Sequence, residues 1–249
     1  MATQRAATRP RSERGFFHHI GDVYGRSRLG APLIFFPAEQ STPHSGVILA
    51  GTHGDETASV FALSCALRTL APGLRHHHVV LAVNPDGCQL GTRCNAHGVD
   101  LNRNFPTANW QPDGTVYRWS DVTPDRDVRL STGDSPGSEP ETRALCQLIE
   151  QLSPPWIVSF HEPLACIEDP RLSPLGSWLA KAFELPLVEN VGYATPGSFG
   201  TWCVEHQLHC ITAELPVIAA DSANEHYLEP LLQLLSHNFY TNVENVALH

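Results

Sequence analysis

Positive charge is scarce in this chain of 249 residues: 16 Lys and Arg stand against 26 Asp and Glu, a formal net charge of -10. Such a surface repels phosphate backbones and carries no basic footprint for nucleic acid. Acidity favours solubility and by itself names no substrate. Long apolar runs are missing as well, since no window approaches about eighteen uninterrupted apolar residues, and no membrane-spanning helix is expected. The N-terminal stretch MATQRAATRPRSERGFF is basic and polar without an apolar core, which argues against a secretory signal. The seven cysteines are odd in number and contain no CxxC pair, which speaks against a disulfide framework and against a thiolate zinc knuckle. Internal repeats, heptads and low-complexity linkers are also lacking. These absences predict a soluble protein of a reducing compartment, the cytoplasm, with neither nucleic acid nor membrane as partner.

What is present is a 42% apolar chain of a length that α/β proteins often use for one domain. Residues 1–20 read as a basic N-terminal arm and 21–249 as a single domain. APLIFFPA (31–38), SGVILAGTHG (45–54), HHVVLAVNPDG (77–87), PWIVSFHEP (155–163) and HCITAELP (209–216) read as strands bounded by turn residues. ETASVFALSCALRTL (56–70) has apolar residues at helical spacing, and SEPETRALCQLIEQL (138–152) opens with Ser138 and Glu141 in capping-box spacing. The polar stretch 106–138 reads mostly as loop. Strands alternating with helices predict a mixed, largely parallel central sheet with helices on both faces. Ligands of such folds collect at the carboxyl ends of strands, and His53, Asn84, His161 and Glu214 all fall at or near predicted ends.

His53 and Glu56, in GTHGDETASV, are three residues apart, a spacing that brings both side chains to one side of a tight turn. Nitrogen and oxygen donors suit zinc, and a third ligand such as His161 leaves a position for water. The alternative is an ordinary polar turn, because an acid at a helix start also complements the macrodipole. Glu214, in TAELP, follows an apolar strand, where burial would raise its pKa and suit it to proton exchange with a water. Its plainer fate is a solvent-facing strand end. Arg103 in GVDLNRNFP offers a fork for a carboxylate, and Arg93 could add a second positive charge. The triplet HHH at 76–78 reads as a polar strand edge or loop.

These pieces, in this order, resemble the zinc carboxypeptidase family of the carboxypeptidase A type, over roughly residues 22 to 234. The resemblance implies one zinc per chain, held by His53, Glu56 and His161, with Glu214 as the residue that moves protons. It implies a carboxylate clamp of Asn102 and Arg103, completed by Tyr193, which stands nine residues before Trp202 as in the family pattern. Arg93 falls on the place of the arginine that stabilises the oxyanion, and Gly200 on a position that helps set side-chain specificity. LAGTHGDE, SFHEPLACIEDP and TPGSFGTWC look most like a branch of cytoplasmic amidases acting on murein peptides. That branch implies hydrolysis of the γ-D-glutamyl–meso-diaminopimelate bond of a recycled cell-wall tripeptide. Asp55 departs from the digestive relatives, which carry arginine there, and Gly200 leaves room for a long polar-ended side chain. Glu168, Asp169 and Arg171 are candidates for the polar wall of the D-glutamyl side. The alternative is an amidohydrolase of N-acyl amino acids, which shares a GxHGxE opening and an Asn-Arg pair. Oligomeric state has no signature here, and a homodimer is the expectation carried forward.

Overall fold

The computed structural model describes residues 6–118, 127–237 and 239. A hairpin of β1 (Asp22–Arg26) and β2 (Pro32–Phe35) precedes β3 (Val47–Leu49), α1 (Thr57–Thr69), β4 (His78–Val80) and α2 (Pro85–Leu90). A second small antiparallel pair, β5 (Thr115–Arg118) and β6 (Asp127–Leu130), leads to α3 (Pro140–Leu152), β7 (Ile157–His161) and β8 (Leu164–Glu168). The chain continues through α4 (Pro174–Phe183), β9 (Leu187–Val188), α5 (Phe199–Glu205), β10 (Cys210–Pro216) and α6 (Ala220–Ser236). The central sheet has six strands in the order β4-β3-β7-β10-β8-β9. Its first four are mutually parallel, β8 runs antiparallel to β10, and β9 is parallel to β8. This is the mixed, largely parallel sheet expected.

Alternation along the strands explains why both faces are covered. Ile48, Val79, Val158, Phe160, Ile211 and Ala213 point into a core shared with α1, α4 and α6. Their neighbours Val47, Leu49, Val80 and Ile157 point the other way, against α3, α5 and the Leu101–Phe105 segment. Successive residues of a strand face opposite sides, so short all-apolar runs such as Val47–Leu49 need a helix layer on each face.

Several sequence expectations are corrected. The run 77–87 is not one strand: β4 stops at Val80, and Asn84 caps α2 by accepting from the Gly87 amide at 2.9 Å. Asn84 is therefore a buried cap, not a group at a ligand-facing strand end. The capping box at 138–141 does not form. Pro140 occupies the first helical position, Glu139 is the cap residue, and Glu141 accepts instead from the Arg28 amide and from Asn95. Within 106–138 the pair β5–β6 replaces part of the expected loop, and 119–126 lie outside the described residues. The histidine triplet is a strand edge and loop as expected, with His78 opening the edge strand β4, and its middle member His77 is buried. Of the N-terminal segment 1–20, residues 6 onward are described and are tied to α1: Arg9 N–H donates to Thr69 C=O at 2.8 Å, and Arg68 Nη1 to the Arg14 carbonyl at 2.7 Å. No helix among the described residues is long and apolar enough to cross a membrane.

Candidate metal centre and substrate cavity

The carboxyl ends of three adjacent parallel strands supply the site. β3 runs out into the loop that carries His53, β7 ends on His161, and β10 carries Glu214, which is the register partner of His161. Glu56 stands at the first turn of α1. The loop between His53 and Glu56 lies hard on α2, where a methyl group on Gly54 would overlap the Gly87 backbone. A side chain at that position would push the whole loop off its bed, which accounts for glycine between the two candidate ligands.

His53, Glu56 and His161 are buried, and their donor atoms all lie within 4.8 Å of one another. His53 Nδ1 is 2.7 Å from Glu56 Oε1, His161 Nδ1 is 3.0 Å from Glu56 Oε2, and the two Nδ1 atoms are 3.2 Å apart. His53 Nε2 meets Asp100 Oδ1 at 3.1 Å. A carboxylate only accepts, so Nε2 donates to Asp100, and Nδ1 either donates to Glu56 or turns its lone pair to a cation shared with that carboxylate. That lone pair converges with a carboxylate and a second imidazole nitrogen, an arrangement of electron donors that is stable around a cation. Burial works to lower the His53 pKa, but Glu56 and Asp100 together push it up to about 9. Burial likewise works to raise Glu56, and the two imidazoles outweigh it and hold the carboxyl well below its usual range. The pocket thus concentrates demand for positive charge at one point, and a two-imidazole, one-carboxylate set is a donor set zinc accepts.

Asp100 was not singled out from the sequence, although it stands in GVDLNRNFP two residues before Asn102. It is wholly buried, caps the Leu101–Arg103 turn by accepting from the Asn102 amide, and orients His53. Arg93 spans Glu56 and Asp100, with Nη1 at 3.0 Å from Glu56 Oε1 and Nε at 3.4 Å from Asp100 Oδ2. Glu162, also missed, donates its amide to Glu56 Oε2 at 3.1 Å and accepts the Ala58 and Ser59 amides at the start of α1. Burial raises its pKa to about 7.

All nine residues expected at the site from the sequence line one cavity of about 310 Å³: His53, Glu56, Arg93, Asn102, Arg103, His161, Tyr193, Gly200 and Glu214. Burial raises the Glu214 pKa, His161 pulls it down and Glu56 adds to the rise; its Oε2 accepts the Leu164 amide at 3.4 Å. Asn102 Oδ1 accepts the Phe199 amide at 2.9 Å, fastening the Asn-Arg turn to the start of α5. Arg103 folds its Nη1 onto the Asn102 carbonyl at 2.6 Å. Tyr193 is 57% exposed at the cavity wall, its phenol pushed up by burial of its polar end and by Glu214. A methyl at Gly200 would find its nearest neighbour, Ser198 Oγ, 4.0 Å away, so the position is open.

The trio expected on the D-glutamyl side divides. Glu168 lines the cavity. Asp169 does not: it is wholly buried and accepts from the Arg171 amide, from Ser173 and from His209 Nε2 at 2.9 Å. Arg171 reaches away to the Gln207 carbonyl. Asp55 faces a second cavity of about 420 Å³ with Thr92, Arg93 and Cys94.

The zinc carboxypeptidase profile matches residues 23–163, and the chain belongs to that family of metallopeptidase hydrolases. Among its relatives, murein peptide amidase A of Escherichia coli strain K12 is 68% identical over 228 residues, which is 92% of this chain and 94% of the relative. A crystal structure of the murein-tripeptide amidase from Escherichia coli O157 is similar with a TM-score of 0.90 and 66% identity, covering 93% of this chain and 98% of the other. Bovine thrombin-activatable fibrinolysis inhibitor, at a TM-score of 0.67, 19% identity and 91% of each chain, shares the fold.

Proposed function

We propose that this chain hydrolyses the γ-D-glutamyl–meso-diaminopimelate amide of the murein tripeptide L-Ala-γ-D-Glu-meso-diaminopimelate. The observation that carries this is one cavity holding a three-donor metal cluster, a buried glutamate and an Asn-Arg-Tyr group, in a chain 68% identical over 92% of its length to murein peptide amidase A. His53, Glu56 and His161 hold one zinc per chain. Zinc bound there supplies Lewis acidity toward a carbonyl and lowers the pKa of water.

Glu214 takes the proton of the attacking water and returns it to the departing amine nitrogen, so one carboxylate serves as base and then as acid. Its raised pKa suits that double duty. Arg93, already fixed between Glu56 and Asp100, presents its positive charge where the carbonyl oxygen becomes negative. Asn102, Arg103 and Tyr193 hold the α-carboxylate of the diaminopimelate residue and position the amide without reacting. The substrate is a small peptide, and a cytoplasmic pool of recycled cell-wall fragments fits an enzyme of this kind. Homodimerisation stays a proposal, open to sedimentation analysis.

Mass spectrometry of the tripeptide incubated beside N-acetylaspartate tests the assignment. The expected products are L-Ala-γ-D-Glu and free diaminopimelate, lost after chelation and restored by zinc. Cleavage of N-acetylaspartate with the tripeptide intact would overturn it in favour of the N-acyl amino acid hydrolases.

A further inference from the structure

β10 extends the cavity inward from the reacting glutamate. Ile211, Ala213 and Leu215 point into the core, so Glu214, Thr212 and Cys210 form a row on the opposite side, and all three line the cavity. Steps of two residues along a strand are about 7 Å, which sets the distance from the Glu214 level to the Thr212 level. At the Thr212 level β8 places Glu168 directly alongside, because Thr212 and Glu168 are register partners in the antiparallel pair. Its core-facing neighbour Ile167 leaves Glu168 on the cavity face. The N-terminal turn of α5, with Gly200 and Thr201, closes the same space, and the clamp residue Asn102 is bonded to that turn.

Glu168 is half-buried, accepts the Val191 amide on Oε1 at 3.2 Å, and forms no ion pair among the described residues. The cationic side chains of the lining, Arg93 and Arg103, belong to the metal cluster and the clamp. A carboxylate inside a cleft, with one oxygen used and no cation beside it, is matched by an ammonium group arriving with the ligand.

We propose that Glu168 is a specificity-determining residue that pairs with an ammonium group at the end of the departing residue's side chain. This rests on the murein reading for the identity of that residue. Diaminopimelate carries an ammonium at the far end of its side chain, on a carbon that also bears a carboxylate, about 6 Å from the α-carbon held by the clamp; L-lysine presents the ammonium alone. That reach matches the separation between the Glu214 and Glu168 levels. Gly200, with nothing filling its side-chain space, leaves the stem of such a residue room to pass. Glu168 thereby belongs to the diaminopimelate side of the cleft, not to the D-glutamyl side where the sequence had suggested it.

The test compares three peptides, L-Ala-γ-D-Glu linked to meso-diaminopimelate, to L-lysine or to L-norleucine, on the wild type and on Glu168→Gln. Glutamine keeps an acceptor for the Val191 amide and removes the charge. The wild type should favour the two amine-ended peptides over the norleucine peptide by at least about tenfold in kcat/KM, the range of a charge-assisted hydrogen bond. Glu168→Gln should lose that preference through KM, with the norleucine kinetics unchanged, which also verifies folding. A variant that slows all three peptides alike, or a wild type indifferent to the amine, overturns the pairing. Should the diaminopimelate peptide be cleaved without dependence on Glu168, this inference fails and the murein reading stands. Should only the lysine peptide be cleaved, with dependence on Glu168, the pairing holds and the murein reading falls.

Discussion

His53 and His77 are buried to the same degree, 2% and 1% exposed, and meet opposite electrostatic fates. His77 accepts the Gly46 amide on Nδ1 at 3.1 Å, donates from Nε2 to the His237 carbonyl at 2.7 Å, and packs on the Trp156 ring with centroids 4.6 Å apart. Among the described residues no acid faces it, and burial drives its pKa down to about 4. His53 is flanked by Glu56, Asp100 and Arg93, and the acids prevail. Burial alone makes a neutral, structural imidazole; burial with two carboxylates makes a place that demands a cation. The difference between a core histidine and a candidate metal ligand lies in the neighbours, not in the depth.

Four experiments would break or sharpen that contrast. His53→Ala should remove bound zinc and all activity, measured by plasma mass spectrometry and a tripeptide assay; an active, zinc-loaded variant would refute the ligand assignment. Glu214→Gln should cost about 10²–10⁴-fold in turnover while zinc content is unchanged, since it touches proton transfer and not the donor set. Asp100→Asn keeps the shape and removes the charge behind His53, so zinc affinity in a chelator competition should fall about 10–100-fold. An unaltered affinity would mean that Asp100 merely caps its turn.

The smallest effect concerns His77 and stability. Its folded pKa is about 4 against an unfolded value near 6.5, so between those values the unfolded chain binds the additional proton. Its contribution is complete above about pH 6.5, declines as pH falls toward 4 and then levels off, on the order of 3 kcal/mol in total. Denaturant titrations of wild type and His77→Gln across pH 4–7 isolate this part as a difference. Zinc affinity at pH 7 should match wild type. Parallel pH profiles for the two proteins would show that His77 is not the group responsible.

The metal cluster was partly legible because His53 and Glu56 sit three residues apart on one loop, so their pairing is local. His161 was legible only as a histidine closing an apolar strand, and the motif order of the family made it a candidate ligand. Asp100 was not, because its bond to His53 spans 47 residues and its stretch displayed the more conspicuous Asn-Arg pair. The histidine triplet was legible as a strand edge or loop, but not the burial of its middle member, which Trp156 and the His237 carbonyl, both remote in sequence, enclose. In the fold, β3, β7 and β10 announced themselves as buried apolar runs. The short α2 did not, since Pro85 and Asp86 after a strand resemble a turn until Asn84 is seen to cap them. The capping-box signal at Ser138 and Glu141 was present in spacing and absent in fact, because Pro140 and the bonds to Arg28 and Asn95 claimed those groups first.

The segment Asp100–Asn104 has a consequence for anyone redesigning this enzyme. Within five residues it orients His53 through Asp100, ties α5 through Asn102 and anchors the Thr132–Glu139 loop through Asn104. It is a shared chassis, and neither the metal end nor the recognition end can be exchanged as a module without it. Thr212, Glu168 and Gly200 bear on none of those bonds. Under the proposed pairing of Glu168, they are the positions to change in order to alter which side chain departs while the candidate metal cluster is left in place.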